Sequence, residues 1–193
     1  MAAKAKLFKV PPGETTVTVS LICPVNSGPA KLHRFLSPPV KGHETHKTFS
    51  PSLTFLLEHP SGRKLVWDLG IRKDYQNYSP RIAQYIPTTG YTINVEKNVI
   101  DILEEHGIQG KDIEAVVWRY CTFRMVNQFK GCGRRADRGV PLTTTASHWH
   151  WDHIGDPSTF PASADLIVGP GFREAMVPGA PATDSPLLES DYA

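Results

Sequence analysis

Residues 147–156 read SHWHWDHIGD, with His148, His150, Asp152, His153 and Asp156 inside ten positions. His148 and His150 are two apart, so at the end of a strand both imidazoles point to the same side, and a loop can bring Asp152 and His153 beside them. Imidazole and carboxylate are donors that zinc accepts without redox chemistry. A catalytic zinc needs about three protein ligands and one open position, where the pKa of water falls to roughly 7. The spacing therefore points to metal-assisted hydrolysis of a carbonyl compound.

The flanking sequence supplies the scaffold. TTVTVSLICPV alternates Val17, Val19 and Leu21 with Thr18 and Ser20, the period-2 pattern of a half-buried strand. The Pro- and Gly-rich stretch from Cys23 to Pro51 predicts a long surface connection. SLTFLLEHPSGRKLVWDLG predicts a hairpin turning at His59–Gly62, with Asp68 at the end of its second strand. NVEKNVIDILEEHG predicts a helix capped by Asn94, with Val99, Ile102 and Leu103 on one face and Gly107 beyond its end. DIEAVVW predicts a strand buried on both faces, and ADLIVGPGFREAM a strand, a Gly-Pro turn and a helix. Strands and helices alternate, which implies an α/β class.

Composition bounds the rest. The chain has 193 residues, is 40% hydrophobic and 21% charged, and carries a formal charge of +2, all within the range of one globular domain. Cys23, Cys121 and Cys132 form neither a CxxC pair nor an even disulfide framework, which fits a reducing compartment. With no apolar stretch near the roughly 18 residues of a membrane span and no h-region in its first residues, the expectation is a cytoplasmic protein without a membrane partner.

Position by position, His148-x-His150-x-Asp152-His153 resembles the HxHxDH signature of the metallo-β-lactamase superfamily. The form SHWHWDHIGDPSTFP after VVW is similar to fungal lactonase-like members, relatives of N-acyl homoserine lactone hydrolases, and the likeness runs from about residue 15 to the end. The resemblance implies a two-zinc site in which His148 and His150 serve one ion and Asp152 and His153 the other. It implies that Asp68 supports the ligands from behind, and that Asp152 is the catalytic carboxylate, orienting the nucleophile or moving a proton to the leaving group. The implied reaction is the opening of a lactone or related cyclic ester by attack of zinc-bound hydroxide. Lactam or thioester hydrolysis and a non-catalytic metal-binding role are the alternatives. A small acyl substrate, and not nucleic acid, is the implied partner.

Two departures from that pattern stand out. The family completes its site with later histidines and a bridging aspartate, yet no histidine follows His153, and Asp156, Asp165, Asp184 and Asp191 lie in contexts that do not match. The expectation is therefore a single incomplete domain over residues 1–193. It is the N-terminal part of an αββα sandwich whose second half is largely missing, with exposed apolar faces and weak or no activity of its own. Residues 119–146 are the other departure. They separate EAVVW from Ser147 and carry Arg119, Arg124, Lys130, Arg134, Arg135 and Arg138 against the single acid Asp137, with no apolar periodicity. Codon degeneracy permits a GT donor across Arg119 and Tyr120 and an AG acceptor at Ser147, so the stretch is expected to be a translated intron. Its removal restores EAVVWSHWHWDHIGD. A lineage-specific insertion, for instance a basic substrate flap, is the alternative; a nucleic-acid arm finds no binding fold to support it.

The remaining histidines carry less. His43-x-x-His46 sits in a Pro/Gly-rich context, and His33, His59 and His106 are expected to be ordinary surface groups. Trp149 and Trp151 are expected to pack beside the site.

Overall fold

The computed structural model describes residues 13–31, 40–42, 47–118, 151–168 and 172–192. The histidines at 33, 43, 46, 148 and 150, Trp149, Cys121, Cys132 and all of 119–146 lie outside the described residues.

Six strands form one mixed sheet: β1 (Thr18–Lys31), β2 (Lys47–Glu58), β3 (Lys64–Trp67), β4 (Ile93–Asn94), β5 (Ala115–Val117) and β6 (Asp165–Ile167), in the order β4-β1-β2-β3-β5-β6. Pairings among β4, β1, β2 and β3 are antiparallel, whereas β3, β5 and β6 run parallel. The helices are α1 (Pro80–Tyr85), α2 (Val99–Glu105) and α3 (Phe172–Met176). Alternation of helices with parallel strands is the α/β layering that the sequence pattern predicts. The β2–β3 hairpin closes as expected, with Phe55 opposite Trp67 and Glu58 opposite Lys64.

As far as Lys31 and again from Lys47, the stretch after Cys23 is strand and not the long surface connection that its prolines and glycines predict. β1 continues to Lys31, and β2 begins at Lys47. The register shifts between Ile22 and Val25 and again between Ser27 and Ala30, so Pro24 falls in one irregularity and Gly28-Pro29 in the other. Bulges leave residues out of the ladder, and there a proline costs no hydrogen bond. The cap of α2 also differs: Asn98, not Asn94, occupies the N-cap position, and its backbone N–H donates to Asp101 Oδ2 at 2.9 Å. Asn94 instead pairs with Asn26 across β4 and β1.

The two faces of the sheet have different fates. Leu56, Val66 and Val116, aligned across β2, β3 and β5, are buried together with Val99, Ile100 and Leu103 of α2. A second cluster gathers Tyr78, Ile82, Trp118, Trp151, Ile154, Phe172 and Met176. The site lies where the two clusters adjoin. Among the described residues the opposite face is less covered, with Phe55 and Val117 half-buried. Leu21, Phe55, Trp67, Val117 and Ile167 stand in one row across five strands, with Leu21 60%, Trp67 43% and Ile167 46% exposed. Val17 and Val19 are exposed too, so the apolar alternation of β1 marks a strand correctly but not a buried face.

Because the described residues pack one face more fully than the other, substitutions should divide by face. Leu103→Ala, in the core under the sheet, is expected to cost about 2–5 kcal/mol, whereas Leu21→Ser should stay within about 0.5 kcal/mol. Urea denaturation of the two variants reads the contrast.

Candidate metal centre

The site forms at the carboxyl ends of the parallel strands, where loops of α/β sheets commonly carry function. Asp68 follows the last residue of β3 and adopts φ 70°, in the left-handed region. Its N–H donates to the Val117 carbonyl at 3.0 Å, and its Oδ1 accepts from Gly70 N–H at 2.8 Å. Local bonding of this kind is how a short carboxylate side chain tolerates that backbone region. The turn aims Oδ2 of a nearly fully buried carboxylate at His153 Nδ1, 2.5 Å away. With its Nδ1 proton donated to Asp68, a neutral His153 ring would present its lone pair at Nε2. Nε2 lies 3.5 Å from Asp152 Oδ2.

Segment 151–156 is held at several further points by segment 68–72, Trp118 and Tyr78. Gly155 N–H donates to Gly70 O at 2.8 Å, Trp118 Nε1–H to Ile154 O at 2.7 Å, and the Tyr78 hydroxyl to Trp151 O at 3.2 Å. Gly155 sits at φ 56°, and a Cβ there would meet Leu69 Cβ at 2.2 Å and Leu69 O at 2.6 Å. Only glycine fits that approach. Trp151 packs in the core edge-on to Tyr91, as expected of a packing residue.

One charged group gathers three carboxylates behind this loop. Arg72 binds Asp74 with Nε and Nη2 at 2.7 and 3.0 Å, reaches Asp156 Oδ2 with Nη2 at 2.8 Å, and faces Asp191 Oδ1 at 3.8 Å. Burial works against its charge, but the hydrogen bond to Asp74 and the charges of Asp156, Asp74 and Asp191 outweigh that and hold the guanidinium above its ordinary pKa. The same Arg72 bond draws Asp74 down to about 2. Asp191 behaves oppositely: burial pushes it up to about 6, against the Leu188 N–H and the Arg72 charge. Its Oδ1 makes no hydrogen bond among the described residues. Burial likewise raises Tyr78, a hydroxyl that accepts from Arg72 N–H at 3.2 Å while donating to Trp151 O. Sequence reasoning missed Arg72, Tyr78 and Asp191. The only local signals were an arginine directly after the apolar LGI and Asp74 two residues on; the other partners, Asp156 and Asp191, come from far along the chain.

Asp68, Asp152 and His153 are thus brought together, while His148 and His150 lie outside the described residues. Among the described residues no group of three His, Cys, Asp or Glu side chains could hold a metal. The donor chemistry of the pair nevertheless fits zinc as two of its ligands: one carboxylate, and one imidazole whose tautomer a carboxylate sets. His59 and His106 are exposed and make local contacts, His59 with the N–H and Oγ of Ser61 and His106 with Ile102 O, as surface groups do. Cys23 is exposed and free.

No family model matches the chain. Gamma-lactamase FDB1 of Fusarium pseudograminearum is 33% identical over 190 residues, which cover 95% of this chain and 39% of that one. Metallo-hydrolase mfmC of Annulohypoxylon moriforme is 35% identical over 162 residues, 81% of this chain and 34% of that one. The chain belongs to the metallo-β-lactamase superfamily. It spans less than half the length of these two superfamily relatives. Among solved structures, an N-acyl homoserine lactone hydrolase with N-hexanoyl-L-homoserine bound at its catalytic metal centre aligns with TM-score 0.37 at 15% identity, covering 52% of this chain and 39% of that one. No described helix is long and apolar enough to cross a membrane.

Two outcomes follow from this geometry. Gly155→Ala should destabilise by about 1–3 kcal/mol or more, because Leu69 backbone cannot yield, and thermal melting measures it. For Asp191 the direction is set by its raised pKa. Between its ordinary 3.8 and about 6 the unfolded chain has released the proton and the folded chain has not, so this group's contribution falls as pH rises through that window and stays lower above it. Asp191→Asn should therefore gain in melting temperature relative to the unaltered chain between pH 4 and pH 6, with a level difference above.

Proposed function

We propose that the protein is a metal-dependent hydrolase that opens a lactone or related cyclic ester, with His148, His150, Asp152 and His153 holding two zinc ions and Asp68 behind them. The observation that carries the proposal is the contact of the buried Asp68 carboxylate with His153 Nδ1, which leaves Nε2 on the side of Asp152. Zinc held by such donors supplies Lewis acidity for a carbonyl oxygen and lowers the pKa of water. Asp68 keeps His153 in one tautomer and one orientation, so the ring does not turn away when a cation approaches. Asp152, with its side chain partly open to solvent, receives the proton of the attacking water and returns it to the ring oxygen as the acyl–oxygen bond breaks. Water and lactone thus yield a hydroxy acid, with protons balanced.

A second reading is hydrolysis of a cyclic amide, favoured by the name of the Fusarium relative, a gamma-lactamase. The reacting carbonyl is alike in both, but a ring nitrogen must be protonated before it leaves, which asks more of Asp152.

Residues 119–146 are proposed to be a translated intron, and 1–193 an incomplete domain. Sequencing the mature transcript across codons 119–146 tests the first point: a transcript joining Trp118 to SHWHWDHIGD supports it, and one retaining the stretch makes it an insertion.

The deciving assay for function measures zinc content and turnover of lactone, γ-lactam and thioester panels by the chain and by the product of that transcript. We expect weak or no turnover by the 193-residue chain, and turnover by the product of that transcript that EDTA abolishes and zinc restores, with Asp152→Asn lowering kcat there by about 10²–10⁴-fold. Bound zinc with no turnover of any panel member would make this a non-catalytic metal-binding protein. Absence of bound zinc would sink the metal reading altogether.

A further inference from the structure

We propose that Arg72 is a positioning residue that fixes the segment carrying Asp152 and His153 against the Asp68 turn. The inference rests on the proposed metal site and assigns part of its precision to a group that touches neither ligand. Arg72 is bound to both ends of that segment. Its guanidinium reaches Asp156 at the far end, and its backbone N–H reaches the Tyr78 hydroxyl, which in turn donates to Trp151 O at the near end. Asp152 and His153 lie between the two anchors. The Gly155–Gly70 and His153–Asp68 bonds fall between them as well, so a shift at either anchor moves both ligands relative to Asp68.

The surrounding chemistry argues for geometry over bulk stability. A surface ion pair is worth little because solvent competes for it, and Arg63 with Glu114 is such a pair, at 2.6 Å but 66% and 41% exposed. Arg72 is only 11% exposed, and its planar fork is shared by Asp74 and Asp156. Lysine cannot reproduce that fork, since a point charge has no second direction to fix. Asp74 comes from the same turn as Arg72 and sets the guanidinium plane, while Asp156 follows the ligand pair by three residues. The guanidinium thereby converts a local plane into the position of a distant loop.

The test uses Arg72→Met, Arg72→Lys and Asp156→Asn, with Arg63→Met as the control. Asp156→Asn takes away the charge that Arg72 meets on the ligand segment while leaving Asp74 beside the guanidinium, so it keeps the question open to test if Arg72→Met does not fold. Two readouts are taken. The first needs no metal: amide exchange at Gly155 and the nitrogen resonances of the His153 ring report whether the segment stays seated on the Asp68 turn. The second is zinc affinity by chelator competition, with the visible spectrum of the cobalt-substituted chain reporting ligand geometry.

Arg72→Met and Asp156→Asn are expected to speed Gly155 exchange at least tenfold, to broaden or shift the His153 ring signals, and to weaken zinc binding roughly 10–100-fold. The cobalt spectrum should change, Arg72→Lys should fall between, and Arg63→Met should leave every readout unchanged. Folded Arg72→Met and Asp156→Asn variants with unaltered Gly155 exchange and His153 signals would overturn the proposal. If those signals respond but the unaltered chain binds no zinc, the positioning role stands and the metal reading fails.

Discussion

A buried carboxylate facing an imidazole nitrogen organises this molecule. Asp68 is 2% exposed and lies 2.5 Å from His153. An ionised carboxylate out of water is tolerable only when its oxygens are satisfied. Gly70 N–H satisfies one oxygen and His153 the other, which is why the chain turns through a left-handed residue directly after β3. Gly155 without a side chain, Gly70 with φ 62° and the close approach of Leu69 all follow from bringing segment 151–156 down onto that turn.

Charge is distributed behind the site by the same economy. Three carboxylates around one guanidinium would leave a net negative cluster if all were ionised. The burial-raised Asp191 and the strongly acidic Asp74 divide the load: one holds its proton to near neutrality, and the other surrenders it at any ordinary pH. The Arg72 cluster therefore links the turn after β3, the ligand segment and the 3-10 turn Glu189–Asp191 in one arrangement. Ser79 Oγ–H donating to Pro186 O and Tyr192 accepting from Gly179 N–H tie the same final segment down again.

What was legible in the sequence is what short range dictates. The β2–β3 hairpin, β5, β6 with α3, the packing of Trp151 and the strand-end position of Asp68 all come from patterns within a few residues. Asn98 was missed as the cap because another asparagine stands four positions earlier, and only pairing with Asn26 separates their roles. The strand through Pro24 and Gly28-Pro29 was missed because bulges are a property of two strands, not one. Period-2 alternation in β1 identified a strand, but which side it buries depends on what packs there. Arg72 was invisible for a similar reason: its meaning lies in Asp156 and Asp191. Asp152 and His153 stand adjacent in the motif, whereas the hydrogen bond that Asp68 accepts from His153 joins residues 85 apart.

The less covered apolar row across Leu21, Phe55, Trp67, Val117 and Ile167 has a thermal consequence. The heat capacity of unfolding scales with the apolar surface newly exposed to water, and a face that is already wet in the folded chain adds little to it. The described part of the chain therefore gains less heat capacity on unfolding than a sheet of its size covered on both faces, and the curvature of its free-energy dome is correspondingly reduced.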